Sequence, residues 1–161
     1  MARRAFHRRV SKLGFFTRYW LPVCAVMAAI FIASTDLGAS HRTSRFLGPL
    51  LRWFQPGIAE ETIQEIQYLL RKCGHLSEYA ALGILVWRAH RRPVKADPRP
   101  WDWGEAAFAI GCAAAYAVSD EMHQALVPSR DPSLFDVLID TSGATLGVLG
   151  VWAVGRWRKS W

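Results

Sequence analysis

Four stretches of the chain are apolar on every side of a helix, and short polar blocks separate them. From Tyr19 to Thr35 there is no charge at all. A second stretch, from about Leu69 to Trp87, is broken by Lys72, His75 and Glu78. A third runs from Trp103 to Ser119 with only Glu105 inside it and then meets Asp120 and Glu121; a fourth, Val137 to Gly155, is interrupted by Asp140 alone. At 1.5 Å of rise per residue, a hydrocarbon core of about 30 Å takes about 20 residues, which each stretch reaches once its polar end is counted. Four helices apolar all round leave a soluble chain of 161 residues too little surface to cover them. The predicted fold class is therefore all-α: an integral membrane bundle of four transmembrane helices at about 19–35, 69–87, 103–122 and 137–155. These form one membrane domain over 19–155, between basic tails at 1–18 and 156–161. In the connection from Asp36 to about Leu70, Thr62 and Glu65 have capping-box spacing, and Ile63, Ile66, Leu69 and Leu70 make one apolar stripe. That pattern predicts an amphipathic external helix running into the second span.

The charge distribution orients this bundle. A net charge of +7 and a pI near 9.8 would suggest nucleic acid in a soluble protein, but the basic residues sit in blocks between apolar stretches. Fourteen of the 20 Lys and Arg fall in the N-terminal block, in the loop from Arg88 to Arg99 and in the C-terminal block. Both termini and the middle loop are thus expected in the cytoplasm, with the chain multi-pass in the membrane and no nucleic-acid partner. The first apolar stretch reads as a signal anchor, since no small-x-small cleavage site follows Ser34. Cys24, Cys73 and Cys112 are odd in number and widely spaced, so they predict small buried hydrophobes rather than a disulfide framework. Trp20, Trp53, Trp101, Trp103, Trp157 and Trp161 have the placement of interfacial belt residues.

Polar residues collect at one end of every span. Asp36 ends the first; Lys72, His75, Glu78 and Tyr79 begin the second; Asp120, Glu121, His123 and Gln124 end the third; Asp136 and Asp140 begin the fourth. Successive spans alternate in direction, so all these ends fall on the extracytoplasmic side. Lys72, His75 and Tyr79 share a helix face, as do Asp120, His123 and Gln124, and as do Asp136 and Asp140. Polar groups in a bilayer turn inward, so the three faces are expected to converge on one pocket open to the outer leaflet. Each residue also has a plainer reading: Asp136 closing a capping box with Ser133, Lys72 snorkelling, Glu121 facing headgroups, Tyr79 in the belt.

The run KCGHLSEYAAL, with Lys72, His75, Tyr79 and Leu82, resembles the first signature of the VanZ-like family. YAVSDEMHQALVPSRDPSLFDVLIDTSGATLG resembles the second, with Asp120, Glu121, Gln124, Arg130, Asp136, Gly143 and Gly147 at the matching positions. The Ser-Thr-Asp that ends the first span resembles the family's Ser-rich exit from that helix. Asp140 stands where the family more often has Asn, and Ser129 where Gly is common. The resemblance implies a small bacterial membrane protein whose founding relative is associated with resistance to the glycopeptide teicoplanin; it implies no assigned reaction.

Three functions compete. The first is a non-catalytic envelope protein that binds a glycopeptide, a lipid-linked cell-wall precursor or a phospholipid headgroup. Lys72 and Arg130 would hold an anion, and Asp120, Asp136 and Asp140 would position those cations or bond ligand hydroxyls and amides. The second is an intramembrane enzyme on a lipid-linked or cell-wall substrate, with His75 and Asp120 as acid and base. The third is a proton path, which needs polar groups through the full thickness of the membrane and meets only apolar sequence in the cytoplasmic halves. His75, Glu78, Asp120 and His123 lack an established metal-ligand spacing, and neither HExxH nor a nucleotide-binding motif occurs, so no metal or cofactor is expected.

Overall fold

The computed structural model describes residues 12–35, 40–94, 97, 99–128, 130 and 132–161. Asp36, Ser129 and the first eleven residues, which include most of the basic N-terminal tail, lie outside them. The described residues form five helices and no strand: α1 (Lys12–Ala33), α2 (Ser40–Phe54), α3 (Glu60–Arg91), α4 (Trp103–Gln124) and α5 (Leu134–Trp157). Two of them contain segments long and apolar enough to cross a membrane, Leu13–Ala33 and Leu134–Trp157. The central helix is α3, which packs against each of the other four.

Small residues let the helices approach. Ala106, Ala109, Ala113 and Ala117 line one buried face of α4, and Gly143, Ala144 and Gly147 line one of α5. A Cβ on Gly143 would collide with the carbonyl of Leu76, and one on Gly147 with that of Ala80, so these glycines seat α5 directly on the backbone of α3. Gly150 meets nothing within 4 Å and takes no part in this seam. Many large apolar side chains are outside, among them Leu21, Phe31, Phe108, Val118, Met122, Leu138 and Leu146. Cys24, Cys73 and Cys112 are exposed too, which corrects the expectation of buried cysteines: they occupy outward helix faces, and the interior is filled by alanine and glycine together with Ile30, Tyr79, Leu82, Val86, Trp87 and Val148.

In the connection from α1 to the second predicted span, the expected helix running into that span is present, but its cap and its neighbour differ from expectation. The predicted amphipathic segment is the first part of α3, one continuous helix of 32 residues and about 48 Å. Its N-cap is Ala59, with no side-chain cap, so Thr62 lies inside the helix and forms no capping box. A separate helix, α2, lies in the same connection, and Gly48 and Pro49 disguise it in the sequence. It rests on α3 and exposes Phe46, Leu50, Trp53 and Phe54 on its far side.

At the opposite end, Arg91 is 2% exposed. Its guanidinium donates to Glu105 Oε2 (2.8 Å) and to the carbonyls of Arg99 (2.8 Å) and Pro100 (2.9 Å), between the rings of Trp87 and Trp161. A residue expected to be a loop cation thus ties the α3–α4 connection to the bundle. Trp101 and Trp161 join the same cluster, whereas Trp53, Trp103 and Trp157 face outward as belt residues do. Nearby, Pro22 in α1 removes the N–H that would serve the Arg18 carbonyl, and Arg88 donates to that oxygen at 3.2 Å.

The connection carries an acid-sensitive latch. Hydrogen bonds from Arg99 hold the Asp97 carboxyl down to about 2, from an ordinary value of 3.8. A carboxyl depressed on folding stabilises the fold above its unfolded pKa, and that contribution is lost as pH falls through the folded value. Pepsin cleavage within residues 92–102 is therefore expected to stay slow at pH 4 and to rise toward pH 2, and Asp97→Asn should raise cleavage at pH 4.

Candidate functional site

The end of α1, the N-terminal half of α3, the end of α4 and the start of α5 meet at one end of the bundle, joined by a chain of polar contacts. Ser34 donates to Asp120 Oδ2 at 2.8 Å, and Gln124 Nε2 donates to the same oxygen at 3.0 Å. Four residues separate Asp120 from Gln124, which puts both on one face of α4. Asp120 Oδ1 is buried and has no hydrogen-bond partner among the described residues.

Between α4 and α5 the chain turns through Arg130 and Ser133. The last carbonyls of a helix lack intrahelical donors. Those of α1 are met by Arg130, whose guanidinium bonds the carbonyls of Ala33 and Thr35. Ser133 is the N-cap of α5 and accepts from the Phe135 N–H at 3.1 Å. The Ser133 N–H, which a capping box would direct to Asp136, goes instead to Glu121 Oε2 at 2.7 Å. Asp136 is thereby left to pair with Lys72 of α3.

One turn further along α5, Asp140 is wholly buried, and its Oδ1 lies 3.2 Å from His75 Nδ1. The alignment is poor enough that both oxygens of Asp140 are left without a hydrogen bond. Tyr79 lies a turn below His75, fully buried, its hydroxyl without a partner among the described residues. Glu78 is half-buried and makes no hydrogen bond or ion pair among them. His123 turns toward α1, where its ring stacks on Phe31 with centroids 4.3 Å apart.

Of the eleven residues singled out in the sequence, His123 stands apart on α1, and Arg130 serves the backbone of α1. The others lie along the facing ends of α3, α4 and α5. Ser34 was not among the eleven; a hydroxyl at the polar end of the first apolar stretch was the available signal. The two cations expected to hold an anion, Lys72 and Arg130, are both engaged within the protein. The buried polar atoms without a hydrogen bond at this end include acceptors, Asp120 Oδ1, Glu121 Oε1 and both oxygens of Asp140, and donor-bearing groups, Arg71 Nε, His75 Nδ1, the Tyr79 hydroxyl and His123 Nε2. Buried polar atoms are ordinarily hydrogen-bonded, so this group of carboxylate oxygens and donor groups at one end marks a place where a polar partner is accommodated. Among the described residues, every buried polar or charged side chain lies at this end except Arg91. There is no polar file from one end to the other, as a proton path would need.

Helices joined through small residues, many large apolar side chains on the outside and one polar end define a class of helical protein suited to an apolar surrounding. The chain belongs to the VanZ/LLP1 family, whose model matches residues 19–155. No curated protein and no solved structure matches it.

Proposed function

We propose that this chain is a multi-pass protein of the bacterial cytoplasmic membrane that binds a polar component of the cell envelope at its outer end. Four spans formed by α1, α3, α4 and α5, with both termini in the cytoplasm, fit the small-residue seams between α3, α4 and α5, the many large apolar side chains on the outside, and the placement of Lys and Arg. The observation that carries the binding role is the set of buried carboxylate oxygens without a hydrogen bond on Asp120, Glu121 and Asp140, beside Lys72 and Arg130, which are already engaged within the protein. The carboxylate oxygens beside the unpaired Tyr79 hydroxyl suit a ligand that carries both donors and acceptors, such as the hydroxyls and amides of a glycopeptide, a cell-wall precursor or an aminated headgroup, more than a bare anion.

The His75–Asp140 contact supports a second reading, an intramembrane enzyme on a lipid-linked or cell-wall substrate. His75 would act as acid or base with Asp140 orienting its Nδ1 side, where the sequence alone had set His75 beside Asp120. Complementation tests both. In a strain lacking the gene, challenged with envelope-active antibiotics including teicoplanin, the wild-type chain is expected to raise the inhibitory concentration at least fourfold. Asp120→Asn and Asp140→Asn, at matched membrane abundance, should lose that gain under either reading, while His75→Gln should lose it only for the enzyme. Abundant Asp120→Asn and Asp140→Asn proteins that work as well as the wild type would refute the polar site.

A further inference from the structure

Beside the polar cluster, on the outward side of the bundle, α4 and α5 diverge around a groove of about 490 Å³, a size suited to a ligand chain. Its walls are Val118, Met122 and Ala125 on one side and Val137 and Leu138 on the other, and Glu121 contributes to the lining. Glu121 is the anomaly here. It is 6% exposed, one of its oxygens is committed to the Ser133 N–H, and the other has no partner. A nearly buried carboxylate with one unpaired oxygen, lining an almost wholly apolar trough, is complementary to an amphiphile whose donor-bearing head displaces the cover over the acid while hydrocarbon lies along the walls.

We propose that the α4–α5 groove is a binding site for a membrane lipid whose headgroup carries an ammonium, one chain lying against Val118, Met122 and Leu138 and the ammonium donating to Glu121. This rests on the membrane-embedded reading above and narrows its ligand class from any polar envelope component to an amphiphile that enters from the side, through the outer leaflet. A soluble glycopeptide has no use for the groove. Phosphatidylglycerol offers hydroxyl donors but a net negative charge and no cation to meet the carboxylate, whereas the ammonium of an ethanolamine headgroup offsets its phosphate, so the site discriminates between headgroups and not merely between lipid and water.

The test uses the full chain in nanodiscs of mixed phosphatidylethanolamine and phosphatidylglycerol, with a trace of either lipid carrying a diazirine on one acyl chain. After irradiation, the ethanolamine probe should label residues 118–125 and 134–138 at least threefold more than the glycerol probe. Glu121→Gln should bring the two probes to parity there. Val118→Trp, which fills the groove, should cut labelling by both several-fold and leave labelling on the outer face of α1 unchanged, which also reports that the bundle is intact. Equal labelling by the two probes in the wild type, or a preference that survives Glu121→Gln, would overturn the proposal. The readout does not depend on antibiotic phenotype: headgroup-selective labelling together with fully active Asp120→Asn would leave the groove standing and remove the polar-site reading, and the reverse pattern would do the opposite.

Discussion

Leucine at Gly143 or Gly147 is expected to abolish the folded protein, whereas leucine at Gly150, on the same helix, is expected to leave it as wild type. The contrast follows from what a side chain would meet. At the first two positions even a Cβ collides with backbone carbonyls of α3, at Leu76 and Ala80, which cannot swing aside as a flexible side chain can. Overpacking a well-filled interior costs about 1–3 kcal/mol when side chains yield, and more when the backbone must move. Gly83 makes the reciprocal approach, its Cβ position 2.9 Å from the Ala144 carbonyl oxygen, so the seam cannot relax from the α3 side either. The measurement is the monodisperse fraction and melting temperature of detergent-solubilised protein. A Gly147→Leu chain that elutes and melts as wild type would show that α3 and α5 are not in backbone contact. The same seam sets the reach from Lys72 to Asp136 and from His75 to Asp140, so a milder Gly143→Ala should loosen the polar cluster before it unfolds the bundle.

Lys72→Met is expected to be the most damaging single change among the polar residues, and Lys72→Met with Asp136→Leu to be much less so. The Asp136 side chain is 6% exposed, and its cation is Lys72. Removing one member of a buried pair leaves an uncompensated charge, at a cost of about 3–5 kcal/mol, whereas replacing both with apolar groups is often neutral. Thermal melts of the two single variants and the double variant form the cycle. A double variant no more stable than Lys72→Met would mean that Asp136 is held by something other than the lysine.

These expectations show where sequence reading succeeds here and where it stops. The long apolar stretches located α1, α4 and α5 to within a few residues at most ends, because mean hydropathy over twenty positions is a strong signal. Spacings of three and four residues placed Lys72 with His75, and Asp136 with Asp140, on common faces. Such spacings say nothing about what lies opposite. Asp120 bonds Ser34 rather than facing His75, and Arg130 turns to α1 rather than to a ligand, because both pairings join residues more than 80 positions apart. Arg91 was read as one more cytoplasmic cation because burial depends on the neighbours that Trp161 and Glu105 supply. The α2 helix was missed because Gly48 and Pro49 read locally as punctuation.

The position of the polar cluster along the bundle bears on how it would respond to an energised membrane. Asp140 stands sixteen residues from Arg156 on α5, about 24 Å along the axis, which in the proposed orientation leaves it within the outer fifth of a hydrocarbon core about 30 Å thick. A charge carried across the whole core is worth about 2.3 kcal/mol per 100 mV, so a cation binding at that depth senses about 0.5 kcal/mol. Collapsing the membrane potential should then shift occupancy of the site about twofold, against roughly fiftyfold for a site reached across the whole core.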